Sequence, residues 1–424
     1  MKRILYVLAL LILTNGIWAQ KTIIEEIRKD KNISGGGYYA YPYPEHPLPS
    51  LTPAPKGYKP FYISHYGRHG SRWLHDAKQY KLPVESLTKA DRYGKLTPRG
   101  REVLAQLRQI QEESKGRIGE LTPLGARQHE GIAQRMTKNF PEVFRGKGLI
   151  DCKSSVVMRC ALSMLNEVKV FQAFNPRLHV KADASQSDMW YMVYGNEKAN
   201  ELERQARDNE LAAYRRNHMH LDHFLHALFT DTKFAQDSLD IQNFTGNMSA
   251  IISNQQSHDT DVSFWDLFDE QELLDNWLCD NAFWYVARSS SPISKGYMPH
   301  LAENLLRNII ESADKAIADG TCQANLRFGH DACLMPLVSL MNLGDYGAII
   351  DDLEDLPDRN WWLHRIIPMG GNLQLIFYRK KKSDDILVKA LLCENEVTFP
   401  IPSDLAPYYH WSDVRDYYLK MLKP

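Results

Sequence analysis

The sequence lacks a surplus of charge of either sign: 51 Lys and Arg against 52 Asp and Glu leave a formal net charge of −1. Nothing global therefore draws the chain to nucleic acid or to an anionic membrane, and any attraction for anions must be local. Cysteine is scarce, six in 424 residues, and no two are spaced C-x-x-C. With no histidine at zinc-finger distance either, a structural metal is not expected. In an exported protein Cys152, Cys160, Cys279, Cys322, Cys333 and Cys393 can oxidise. Cys322 and Cys333, close in sequence on either side of an expected strand, are a candidate pair; the alternative is that most are small buried apolar residues. Beyond the N-terminal segment no apolar run is long enough to span a bilayer.

What is present begins with a leader. Lys2 and Arg3 precede the apolar run Ile4 to Leu13 and the small-residue exit Gly16 to Ala19, the layout of a signal peptide over residues 1–19, cleaved after Ala19. No cysteine follows the run, which argues against a lipid anchor; an uncleaved anchor is the alternative. The expected location is periplasmic or secreted, without stable membrane insertion after cleavage. The length and the 44% hydrophobic content suit two domains, or one domain with a large insertion. Residues 20–58, with Gly35-Gly36-Gly37 and six prolines from Pro42 to Pro55, read as an extended arm laid over a surface.

The densest chemistry is Tyr66-Gly67-Arg68-His69-Gly70-Ser71-Arg72, which follows the apolar run Phe61-Tyr62-Ile63. Two guanidinium groups offer planar, permanently charged forks that match phosphate oxygens. A neutral imidazole between them can attack phosphorus, and the flanking glycines let backbone N–H groups approach an oxyanion. Two helix starts repeat one grammar, Leu96-Thr97-Pro98-Arg99-Gly100 and Leu121-Thr122-Pro123-Leu124-Gly125. Threonine caps the orphan N–H groups and proline fits the first helical turn, which predicts helices over about 100–116 and 123–138. A strand from Leu149 leads into Ser154-Ser155, then a helix carrying Arg159.

From about 185 to 320 strand signals nearly vanish in favour of polar helices. The run Leu301 to Asp319 is an amphipathic helix with Gly320 as its stop. His218, His220, His223 and His226 sit here at a spacing that could suggest a metal site; with no matching carboxylate and histidine set elsewhere, a polar helix surface is the reading taken. Ala324 to Phe328 then returns to strand and ends in Gly329-His330-Asp331, and a hairpin joins Leu373–Tyr378 to Ile386–Leu392.

Three segments thus share the order strand, charged residues, helix. In a parallel α/β sheet their junctions meet at the carboxyl edge, where helix N-termini favour anions.

The segment RHGSRWL resembles the R-H-G-x-R-x-P signature of the histidine acid phosphatases, branch two of the histidine phosphatase superfamily, which includes phytases and multiple inositol polyphosphate phosphatases. Leu74 stands where the signature has proline. The L-T-x-x-G helix openings, the string SSVVMRCALSM, similar to an S-x-x-x-R-x-x-x-S segment, and the His330-Asp331 pair extend the resemblance over roughly residues 60–400. Members of the inositol polyphosphate type often carry a tripeptide ending in glutamate where this chain has His330-Asp331-Ala332.

The resemblance implies a phosphoglycerate-mutase-like α/β sandwich, residues 59–184 and 321–424, with residues 185–320 as a large α-helical cap. It implies His69 as nucleophile and Asp331 as proton donor. Arg68, Arg72, Arg159 and His330 would bind the phosphate, and no cofactor or metal is expected. The implied partner is a small phosphomonoester, plausibly an inositol polyphosphate such as phytate, with the oligomeric state left open. Alternatives are a broad-specificity or sugar-phosphate acid phosphatase, a phosphoglycerate-mutase-like transferase, and a non-catalytic phosphosugar-binding protein. Lys95, Arg99, Lys181 and Lys295 are candidates for holding further phosphates.

Overall fold

The structure, a computed structural model, describes residues 23–42, 48–192 and 195–422. The expected signal peptide, residues 1–19, lies outside the described residues. Among those described, no helix is long and apolar enough to cross a membrane.

Eight strands form one sheet: β1 (Tyr58–Arg68), β2 (Leu149–Ser154), β3 (His179–Ala184), β4 (Cys322–Gly329), β5 (Asn372–Lys380), β6 (Ile386–Leu392), β7 (Asn395–Val397) and β8 (Tyr409–His410). Their order is β3-β2-β4-β1-β5-β6-β7, with β8 paired to β6. The first four in that order run parallel, and β5 onward is antiparallel. The hairpin read from the sequence is β5 and β6. Strand β1 is central and buried from Phe61's neighbour Tyr62 through Arg68, as expected of a strand covered on both faces.

Between Gln186 and Asp319 the named elements are all helices. The architecture is therefore the mixed α/β sheet with a helical cap that the sequence implied. One apolar core surrounds the sheet through Tyr62, Ile63, Phe328, Leu334 and Phe377. A second gathers Phe224, Phe244 and Trp277 of the cap with Leu87, Val103 and Leu107. Helices Ala77–Arg92 and Pro98–Glu113 thus belong to the cap's core although they lie in the 59–184 stretch. The second docks through its opening turn. Thr97 Oγ1 donates to Ala227 O at 2.6 Å, and a Cβ on Gly100 would stand 2.2 Å from Leu228 O.

The threonine caps act as expected: Thr97 accepts from Gly100 N and Thr122 from Gly125 N, opening Pro98–Glu113 and Pro123–Asn139. Gly320 stops the helix Glu303–Asp319 in a left-handed conformation, φ 63°.

Two expectations fail. The N-terminal arm is not an extended surface layer throughout: residues 23–29 are helical, and Lys31–Tyr38 forms a 3-10 helix with Ile33 to Gly37 buried. The three glycines, read as part of an extended arm, here permit close packing onto cap residues Gln256, Asp280 and Trp284. Cys322 and Cys333 do not pair, and all six cysteines are free thiols. Cys322 opens β4 and Cys333 lies beyond its far end, so the strand separates them by roughly 25 Å. Thiol titration of the denatured, unreduced protein is expected to return six free thiols; a count of four would place a disulfide where this fold has none.

Candidate active site

Register brings the three junctions together. Arg68, the last residue of β1, pairs with Gly329, the last of β4, and Ser154 of β2 pairs with Phe328. The loops that follow therefore leave from one edge of the parallel sheet. Backbone hydrogen bonds fix the central one: His69 N donates to Gly329 O at 2.9 Å, Arg68 N to Gly371 O at 2.8 Å, and Gly370 N to His69 O at 3.0 Å.

The loop then turns against the helix Pro123–Asn139. A Cβ on Gly70 would stand 2.4 Å from Gly125 O, and one on Gly125 would stand 2.3 Å from Ser71 O. Side chains would force the two segments apart, so both glycines are required by close approach. Ser71 N donates to Gln128 Oε1, and Gly70 N to Ser163 Oγ at 3.1 Å. Ser163 closes the S-x-x-x-R-x-x-x-S segment read from the sequence, and it and Gln128 act here as positioning groups, a role the sequence reading did not assign to either.

All six predicted side chains meet here. His69 is buried, and its Nδ1 lies 2.9 Å from Gly70 O. A carbonyl only accepts, so Nδ1 carries the proton and Nε2 keeps its lone pair. The His69 and His330 rings stand edge to face, centroids 5.7 Å apart. Arg159, at the start of helix Met158–Phe174, directs Nη2 to His330 Nδ1 at 3.5 Å, while Ser155 Oγ lies 3.4 Å from His330 Nε2.

Arg68 is buried and anchored on one side, its Nη1 donating to Gly37 O at 2.6 Å and to Ile367 O. Its Nη2 meets Asp331 Oδ2 at 2.6 Å, and Nε has no hydrogen-bond partner among the described residues. Nε and Nη2 share the edge of the fork that can grip a planar pair of oxygens. Arg72 donates to Trp73 O, lies 5.5 Å from the Tyr38 ring centroid, and also has a buried Nε without a partner among the described residues. Asp331 sits in the first turn of helix Asp331–Leu340 and accepts from Ala332 N at 2.7 Å.

The electrostatics follow from this crowding. Burial, then Arg159, Arg68 and Arg72, push the His69 imidazole well below its usual range, so it stays neutral in mild acid. Burial likewise lowers His330, to about 4, with the three arginines opposing Asp331. Burial would raise the Asp331 carboxyl, but Arg68, His330 and Arg72 outweigh it and hold it below the usual range. A neutral imidazole with an available lone pair, beside guanidinium edges and a carboxylate, is equipped to take a phosphoryl group.

Of the other cations suggested by the sequence, two are held in ion pairs away from these side chains. Lys95 pairs with Asp231 at 2.7 Å and Arg99 with Asp266 at 2.8 Å, Lys181 lies on the edge strand β3, and Lys295 sits in a turn at φ 58°, its N donating to Pro292 O at 2.9 Å. Tyr38, which packs on Arg72, and Asp280 border a cavity of about 400 Å³ that is also lined by Arg215 and by Arg207, the latter paired with Glu203. The four cap histidines turn to different partners: His218 to Glu354, His220 to Asp275, His223 to Leu267 O and His226 to Asp222 O.

A parallel sheet whose carboxyl edge carries this group of side chains defines a phosphomonoester hydrolase. The chain belongs to the histidine phosphatase superfamily (branch 2), whose family model matches residues 67–393. Its fold is similar to that of a Bifidobacterium longum multiple inositol polyphosphate phosphatase solved in complex with inositol hexasulfate, with TM-score 0.74, 19% identity, and 90% of this chain and 96% of that chain covered. A phytase from D. castellii gives TM-score 0.67 at 16% identity over 92% and 84% of the two chains. The apo phytase of Hafnia alvei gives 0.53 at 13% identity over 88% and 98%. No curated protein matches the sequence.

Gly125→Ala is expected to push Ser71 and the His69 loop out of register and to lower kcat/KM at least about tenfold, with a loss of stability of about 1–3 kcal/mol. Steady-state kinetics alongside thermal unfolding check this; unchanged kcat/KM would show that the loop tolerates the displacement.

Proposed function

We propose that the chain is exported and hydrolyses phosphate from inositol polyphosphates through a phosphohistidine at His69. The observation that carries the mechanism is the Nδ1 contact of His69 with Gly70 O, which points the reactive pair onto Nε2 of an imidazole kept neutral by its surroundings. In this reading Nε2 attacks phosphorus in line, forming a P–N bond as the ester P–O bond breaks. Arg68, Arg72, Arg159 and His330 hold the equatorial oxygens and spread the transition-state charge. Asp331 protonates the departing alkoxide and then takes a proton from the water that cleaves the P–N bond.

The depressed Asp331 says where that proton comes from. Held low beside Arg68, Asp331 favours its ionised form in the free enzyme, and in this reading the proton it delivers arrives with the substrate, as the ester's own acidic phosphate proton. A phosphate monoester loses that proton near pH about 6. Turnover of alkyl esters is therefore expected to fall as pH rises above that point.

The inositol assignment draws on likeness and on local charge. The Bifidobacterium longum relative was solved in complex with inositol hexasulfate; Arg215 and Arg207, the latter paired with Glu203, line the cap cavity that Tyr38 and Asp280 also border, and in this reading they would meet further phosphates of a polyanion. The export assignment rests on residues 1–19 alone.

Phosphate release from phytate and from 4-nitrophenyl phosphate, measured for wild type and Asp331→Asn across pH about 4 to 8, tests the proposal. Phytate is expected to be the better substrate by kcat/KM, with activity declining above pH about 6. Asp331→Asn should cost phytate about 10²–10⁴-fold and the nitrophenyl ester far less, because a nitrophenolate leaves without a proton. Equal losses for both esters would remove Asp331 as the acid, and a preference for the aryl ester would point to a broad-specificity phosphatase.

A further inference from the structure

Both arginines of Arg68-His69-Gly70-Ser71-Arg72 rest on consecutive residues of the N-terminal strap Lys31–Tyr38: Gly37 O accepts from Arg68 Nη1 at 2.6 Å, and the Tyr38 ring lies against Arg72. The strap in turn is held by the cap. Gln256 Nε2 donates to Asn32 O, Ser34 Oγ donates to Leu273 O, and Asn276 Nδ2 donates to Ser34 O at 2.7 Å. The contact nearest the arginines is Asp280 on the cap helix Glu270–Arg288: its Oδ2 accepts from Gly37 N at 2.8 Å. Gly36 has φ 52° and would place a Cβ 2.2 Å from that same oxygen, so the backbone is pressed onto the carboxylate where only glycine fits. Burial pushes the Asp280 carboxyl up to about 6, with Gly37 N–H and Arg68 favouring the anion and Asp331 opposing it. Asp280 is half-buried at the edge of a cavity and is used by no step of the reaction, yet its carboxylate and the Gly36–Gly37 backbone are fitted to each other.

We propose that Asp280 is a positioning residue for the phosphate-binding arginines. By accepting the Gly37 N–H it latches the strap, and the latched strap fixes Arg68 through the Gly37 carbonyl and Arg72 through the Tyr38 ring. With Nη1 anchored, the other edge of Arg68 keeps Nε without a partner among the described residues and Nη2 on Asp331, the edge that phosphate would take in this reading. Seating of the cap and capture of phosphate are then one event. This rests on the reading of Arg68 and Arg72 as phosphate ligands.

The test is inorganic orthophosphate binding to the full chain, by calorimetry and as a competitive inhibition constant. Asp280→Ala is expected to weaken phosphate about tenfold or more, a typical consequence of losing a hydrogen bond that supports a charged group. Asp280→Asn keeps an oxygen able to accept the Gly37 N–H and should stay within about threefold of wild type. A merely structural role would lower the melting temperature without moving the phosphate constant. Phosphate binding unchanged in Asp280→Ala would overturn the latch, as would Asp280→Asn binding as weakly as Asp280→Ala. Arg68→Ala separates the layers: if it abolishes phosphate binding while Asp280→Ala does not, the latch alone fails, and if phosphate still binds to Arg68→Ala, the underlying reading of the site fails. Should Asp280→Ala not fold, Asp280→Ser, too short to reach Gly37, carries the same expectations.

Discussion

A guanidinium sealed from water must have most of its N–H groups answered, and the site is built around answering those of Arg68 while leaving Nε without a partner among the described residues. Burying an unpaired charge is costly, so two carbonyls, Gly37 O and Ile367 O, and the Asp331 carboxylate surround it. Those three partners come from the N-terminal strap, from the chain just before β5, and from the helix that follows β4. One side chain thus ties distant parts of the sequence into a single geometry. The same arrangement leaves Asp331 ionised beside the arginine, and an arriving phosphate competes with Asp331 for the open edge of the fork. In the proposed reading, phosphate taking that edge would loosen the carboxylate's hold on its charge and let it carry a proton, as an acid for a poor leaving group requires.

The cluster of positive charge does two things that would otherwise conflict. In the proposed reading Arg68, Arg72 and Arg159 attract the substrate's phosphoryl group, and the same field opposes protonation of His69. A histidine nucleophile in mild acid would normally be lost to its own proton. Here acidity that protonates the substrate leaves the nucleophile untouched, and the chain's net charge of −1 confines the effect to the site.

What could be read in the sequence was what acts locally. Thr97-Pro98 and Thr122-Pro123 announce helix starts because capping and a fixed φ need only near neighbours. Arg68-His69-Gly70-Ser71-Arg72, Ser155 to Arg159 and His330-Asp331 each follow a strand, and parallel pairing then forces their meeting, as the Arg68 and Gly329 register shows. What escaped depends on partners far along the chain. Gly35-Gly36-Gly37 looks like part of an extended arm until Asp280, Trp284 and Gln256 are seen pressed against it. Asp280 itself is one of 52 acidic residues and has no motif around it. The helix Ala77–Arg92 did carry a signal, Asp76 with Gln79 as a capping box. The pairing of Cys322 with Cys333 failed because nearness in sequence is not nearness in space when a whole strand intervenes.

The central claim is that His69 carries the phosphoryl group. Rapid quenching of steady-state turnover with a radiolabelled phosphomonoester, followed by denaturation in alkali and in acid, tests it most directly. The account predicts label on the wild-type protein that survives alkali and is released by acid, as a phosphoramidate bond behaves, and no label on a folded His69→Ala variant. Label stable to acid, or label persisting in His69→Ala, would contradict it.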